Sequence, residues 1–267
     1  MNQDFWYKQT AEQPLFPDLI WSRPESRALS GKLLIIGGNL HSFALAASAY
    51  NQAEKGGAGA VKVLMPDAIK TLLGPAAKTT LNIEFAPSTP SGSFGEKALD
   101  EFLSLSQWAD AVLLIGELGR NSETAILLEK FVAKYKGLLA ISGDALDYFT
   151  QVKPSILERP DTSLVLNLSQ LQKLAAQVQL TLPITSNMDL LRLVEAMHIL
   201  SSKHPAYLIF HYNEHSLVAA SGRVSSTKSV SKVKDVQAEM AVQAVIWWMQ
   251  AANRPFEAIS SSMLNLS

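Results

Sequence analysis

Nearly unbroken apolar runs of strand length recur along this chain, and a stretch of helical period follows most of them. Lys32–Ile36, Ala60–Met65, Ala111–Ile115, Leu138–Ser142, Ser163–Asn167 and Ala206–His211 are such runs, with Asn82–Ala86 a weaker one. A strand that is apolar on both faces has to be covered on both faces. The intervening segments Ser42–Glu54, Gly95–Trp108, Ser122–Tyr135, Asp144–Phe149, Ser169–Gln177 and Asn187–Ser201 read as helices. Strand and helix in alternation predict βαβ units, right-handed crossovers and a mainly parallel sheet between two helical layers.

After residue 206 the pattern changes. His211-Tyr212-Asn213-Glu214, then Ser216–Ala220 and Gly222, predict an antiparallel hairpin appended to the sheet. A long helix follows over Val236–Ala252, and Pro255 stops it or opens a last helix. Residues 1–30, broken by Pro14, Pro17 and Pro24, read as irregular, and Pro87–Gly95 reads as the mobile loop. No repeat or low-complexity linker divides the chain, so residues 1–267 read as one domain.

Composition narrows the function classes. Hydrophobic residues make up 48% of the 267 and charged residues 18%, enough for a sizeable core. A net charge of −1 gives no footprint for nucleic acid or an anionic membrane. No apolar run has the length of a membrane span. The absence of cysteine excludes thiolate catalysis, disulfides and cysteine metal sites and suits a cytoplasmic protein. Met1–Trp6 lacks the basic and apolar regions of a signal peptide. His211 and His215 stand four apart across the expected hairpin, where the spacing does not make a metal site, and no metal ligand set is expected. His198, within a helix, is expected to pack or cap.

Ligands of a doubly wound sheet sit beyond the carboxyl ends of its strands. Three strand ends carry glycine turns: Gly37-Gly38-Asn39, Gly116-Glu117-Leu118-Gly119 and Ser142-Gly143-Asp144. Each alone is an ordinary tight turn. Their order, with Gly57-Ala58-Gly59 after the first helix, Asn121-Ser122-Glu123-Thr124, Asp144-Ala145-Leu146 and Pro255-Phe256-Glu257-Ala258, resembles the nucleotide-dependent NAD(P)H-hydrate dehydratases over about residues 25–260. The resemblance implies a ribokinase-like three-layer sandwich with a C-terminal antiparallel hairpin. It implies ADP or ATP as cofactor, possible Mg²⁺, hydrated NADH or NADPH as substrate, and a homo-oligomer.

Carried over residue by residue, the resemblance implies that Gly116, Gly119 and Asp144 line the nucleotide side. Gly37, Gly38, Asn39 and His41 would line the substrate side. The family's catalytic base, which activates a hydroxyl for attack on the terminal phosphate, falls on Glu239, with Asp235 as the alternative register. The family's glycine-rich phosphate loop is here Val233–Ala238, and non-glycine residues rarely form a nest of N–H groups. Lys228, Lys232 and Lys234 flank it, either as cationic substitutes for those donors or as a solvated loop. His41 and Ala44 replace family glycines, Asn167-Leu168-Ser169 stands for Thr-Pro-His, and His211-Tyr212 for Lys-Gly. The sequence also stops at Ser267, short of the family's final helix. Two readings therefore stay open, a hydrate dehydratase and a non-catalytic relative that binds a nucleotide or a partner. A small-molecule kinase of the same fold needs the same carboxylate.

Overall fold

The chain lays ten strands into one sheet of order β1-β10-β9-β8-β7-β6-β5-β2-β3-β4. The computed structural model describes residues 4–73, 81–150, 152, 155–228 and 235–266. In chain order these hold β1 Trp6–Gln9, α1 Pro17–Trp21, β2 Lys32–Gly37, α2 Ala44–Lys55, β3 Ala60–Pro66 and β4 Ile83–Ala86. There follow α3 Leu99–Trp108, β5 Ala111–Ile115, α4 Ser122–Lys134, β6 Leu138–Ser142 and, after the 3-10 helix Gly143–Phe149, β7 Thr162–Leu166. The rest are α5 Leu168–Gln177, α6 Leu190–Lys203, β8 Tyr207–Tyr212, β9 His215–Ala220, β10 Arg223–Lys228, α7 Val236–Gln250 and α8 Pro255–Ser262.

From β4 to β8 through the middle of the sheet all neighbours are parallel. Alternate side chains of each central strand feed two cores. Leu34, Ile36, Val112, Leu114 and Ile141 pack under α3, α4, α5 and α6. Leu33, Ile35, Leu113, Ala140 and Val165 pack under α2, α7 and α8. That is the three-layer α/β sandwich the apolar runs require. Among the described residues no helix is long and apolar enough to cross a membrane.

The antiparallel part is β8-β9-β10, joined by turns at Asn213-Glu214 and Ser221-Gly222, where Asn213 and Gly222 take φ of 53° and 75°. The N-terminal segment is not irregular. Trp6–Gln9 adds a parallel edge strand to β10, and Pro17 opens α1 at its first position, where a missing N–H costs nothing. The edge strand is fixed by side chains. Gln9 Nε2 donates to Thr227 Oγ1 at 2.8 Å and to the Ser260 carbonyl at 2.7 Å, and Trp6 Nε1 donates to Ser226 Oγ at 2.9 Å. Phe5 stacks 4.0 Å from the ring of His198, whose Nδ1 contacts the Gly222 carbonyl at 2.5 Å, so that histidine packs and ties a turn.

The loop Pro87–Gly95 is built of internal hydrogen bonds, contrary to the mobility its composition suggests. Thr89 N, Gly92 N and Gly95 N donate to the carbonyls of Ser93, Thr89 and Pro87, Asp67 accepts from Ser88 N, and Phe94 is fully buried. Leu40 N donates to the Gly92 carbonyl, which pins the loop over the end of β2.

Candidate functional site

The strand order reverses between β2 and β5, because the chain goes outward through β3 and β4 and then returns to the other flank of β2. At such a switch point open α/β sheets take ligands in a crevice beyond the strand ends, and here the loops after β2 and β5 approach each other across it. Gly37 must be glycine for β2 and β5 to meet, since a Cβ there would lie 2.3 Å from the Ile115 carbonyl oxygen. Asn39, nearly buried, spans the crevice. Its Nδ2 donates to the Glu117 carbonyl at 2.5 Å, and its Oδ1 accepts from His41 N at 2.8 Å, leaving the His41 ring exposed.

The turn after β5 runs through left-handed backbone at Gly116, Glu117 and Gly119, with φ of 41°, 42° and 77°. Its neighbours fill the space beside the glycines. A Cβ at Gly116 would meet Leu45 at 2.2 Å, and one at Gly119 would meet Ser93 Oγ at 2.2 Å. Gly143, after β6, packs in turn on Gly116, a Cβ there lying 2.9 Å from the Gly116 Cα. The turn glycines thus serve close packing of loop on loop. Asp144 Oδ1 accepts from Leu118 N at 3.3 Å, and Tyr148 Oη donates to the Gly119 carbonyl. Burial pushes the Asp144 carboxyl above its ordinary range, and the nearby charges of Glu117 and Asp147 push the same way.

The start of α7 lies over the ends of β6 and β7. Ser142 Oγ contacts the Gln237 carbonyl at 3.4 Å, and Gln237 Nε2 donates to the Val165 carbonyl at 2.6 Å and contacts Gln170 Oε1 at 3.3 Å. Gln170 donates to the Gly143 carbonyl at 2.8 Å and completes a capping box with Asn167 at the start of α5. Asp235 is the N-cap of α7. Its Oδ1 accepts from Ala238 N at 3.0 Å, and its carbonyl accepts from Glu239 N at 3.2 Å. Glu239 occupies the first turn of α7 with only 6% of its surface exposed.

The fold therefore brings Gly37, Gly38, Asn39, Gly116, Gly119 and Asp144 into one crevice and sets Glu239 and Asp235 on the adjoining helix start. Lys228 is placed apart. It ends β10, with β9, β8, β7 and β6 between it and β5, and pairs at 3.3 Å with Glu214 on the surface. Lys232 and Lys234 lie outside the described residues. The glutamine bridge between α7 and the strand ends is what sequence reading misses. Gln170 carries a signal, since Asn167 and Gln170 have capping-box spacing, but nothing local marks Gln237.

A bound phosphate would need open backbone donors at these turns. Here the glycine cradles at 116 and 119 are filled by Leu45 and Ser93, and Asp235 already accepts from the first turn of α7. Gly116 N is also taken by the Ser142 carbonyl and Leu118 N by Asp144, so these described donors are not open to a terminal phosphate as they stand. No group of three or more potential metal ligands occurs among the described residues.

No protein-family model and no curated protein matches the sequence. Solved structures do match in shape. A ribokinase-like superfamily protein of Enterococcus faecalis V583 is 15% identical, with 99% of this chain and 87% of that one covered at a TM-score of 0.69. A hypothetical protein of Streptococcus mutans is 16% identical over 92% and 84%, TM-score 0.70. The ADP/ATP-dependent NAD(P)H-hydrate dehydratase of Bacillus subtilis, co-crystallised with ATP and Mg²⁺, is 12% identical over 94% and 86%, TM-score 0.64. The chain has the ribokinase-like fold.

Proposed function

We propose that this chain is a nucleotide-binding relative of the NAD(P)H-hydrate dehydratases in which phosphoryl transfer is impaired. The reading rests on one observation above all. The helix start that would face a terminal phosphate is closed from within, by the Asp235 carboxylate and by Gln237 tied to Val165 and Gln170. Likeness in fold to an enzyme crystallised with ATP and Mg²⁺ supports ADP or ATP as the ligand.

A second reading, a working hydrate dehydratase, is favoured by the position of Glu239. This carboxylate is buried in the first turn of α7, and in this reading it acts as the base for the hydrate hydroxyl. In that reading the terminal phosphate passes to the hydroxyl and leaves as inorganic phosphate, regenerating NADH or NADPH.

Thermal unfolding with ADP or ATP and Mg²⁺, followed by an assay on hydrated NADH, separates the two. A rise in melting temperature without turnover supports the first reading. Turnover that Glu239→Gln abolishes overturns it for the second. No rise at millimolar nucleotide removes both.

A further inference from the structure

Three loops meet at the crevice, those after β2 and β5 and Pro87–Gly95, and one side chain joins the first two. Asn39, 8% exposed, donates from Nδ2 to the Glu117 carbonyl at 2.5 Å, while its Oδ1 accepts from His41 N at 2.8 Å. The third loop is tied to both of the others. Leu40 N donates to the Gly92 carbonyl at 2.9 Å, and Asn121 Nδ2 donates to Ser91 Oγ at 3.1 Å.

Glu117 is held in a conformation that its residue type disfavours. Its φ of 42° is left-handed backbone, which is costly for a residue with a Cβ. Its Oε2 is buried and has no hydrogen-bond partner among the described residues, a second cost. The adjacent amide is loosely held, since Leu118 N reaches Asp144 Oδ1 at 3.3 Å. Tyr148 fixes the far end of the turn at the Gly119 carbonyl, and Asn39 fixes its middle from across the crevice. The strain of one such residue is of the same size as the net worth of one neutral hydrogen bond. A turn held in that balance is a two-state element, which a ligand tips by bonding to groups freed in only one of the states.

We propose that the Asn39–Glu117 contact is an autoinhibitory latch, which holds the crevice shut in the free protein and breaks when an anionic ligand takes the amides of the β5 turn. For its ligand the latch rests on the nucleotide-binding reading above, whereas the latch itself rests on the strain and the contact. It also inverts the role expected of Asn39 from sequence. A residue that contacts the ligand weakens binding when it is lost, and a latch strengthens it.

Asn39→Ser tests this, because a serine hydroxyl can still accept from His41 N but is too short to reach the Glu117 carbonyl. ADP with Mg²⁺ is titrated into the full-length wild type and variant by calorimetry, and hydrogen exchange of both free proteins is followed by mass spectrometry. The variant should bind ADP about fivefold more tightly, the scale of one neutral hydrogen bond, and exchange over residues 116–119 should quicken. Independently, Glu117→Gly should melt above Glu117→Ala, the reverse of their usual order, because glycine takes left-handed backbone freely. Equal or weaker ADP binding by Asn39→Ser overturns the latch, and weaker binding returns Asn39 to the ligand contacts. Unchanged exchange over 116–119 overturns it, as does a glycine variant that melts at or below the alanine one. If neither protein binds ADP while exchange quickens and the glycine variant melts higher, the latch stands and the nucleotide reading falls.

Discussion

Asp144 shows how one carboxyl can carry the electrostatics of a crevice. Its folded pKa is raised above the ordinary 3.8, mainly by burial. A raised value means that its contribution to stability is full below the unfolded pKa and is lost as pH rises through the folded one. Asp144→Asn keeps an acceptor for Leu118 N and removes that loss. The melting temperature of the variant relative to wild type should therefore climb as pH rises above the ordinary 3.8, as thermal denaturation at each pH would show. A flat difference would mean that the carboxyl is not desolvated. The residues that could be read beforehand at this site are those whose type is forced by backbone. Gly37, Gly116 and Gly119 sit where strands or loops nearly touch, and a glycine turn after an apolar strand signals that in the sequence. Gln237 could not be read, because its role exists only once α7 lies across β7.

At the scale of elements, α4 is joined to α3 and to the loop Pro87–Gly95 by an aromatic ladder. Phe94 meets Phe102 edge-on at 5.0 Å, Phe102 meets Phe131 at 5.4 Å, and Phe131 stacks on Tyr135 at 5.3 Å. Phe131 is fully buried, so Phe131→Ala should cost about 3–5 kcal/mol in urea unfolding, from lost transfer energy plus the void left behind. A loss below about 1 kcal/mol would mean that α3 and α4 close the gap. The elements legible in the sequence were those with their own period. Ala111–Ile115 and Leu138–Ser142 end where the apolar runs end, since burial on both faces admits no polar residue between. Trp6–Gln9 could not be read as a strand, because the strand it pairs with among the described residues, β10, is more than 200 residues away in the sequence. The order in Pro87–Gly95 was partly hidden for a similar reason, since beside its internal hydrogen bonds the loop is tied to Asp67 and Leu40.

For the whole molecule, the edge formed by β1 is where integrity and solubility meet. An uncovered strand edge templates pairing with another chain. Removing the first nine residues should lower the melting temperature and give concentration-dependent association in light scattering. A truncated chain that stays monomeric with unchanged melting would show β1 to be dispensable. Gln9 and Thr227, which clasp that edge, are 218 residues apart in the chain. Once made, β1 therefore has no partner strand among the described residues until the chain has grown by more than 200 residues and β10 exists. During synthesis β1 has to wait, and in a crowded polysome the β10 it meets first could belong to a neighbouring nascent chain.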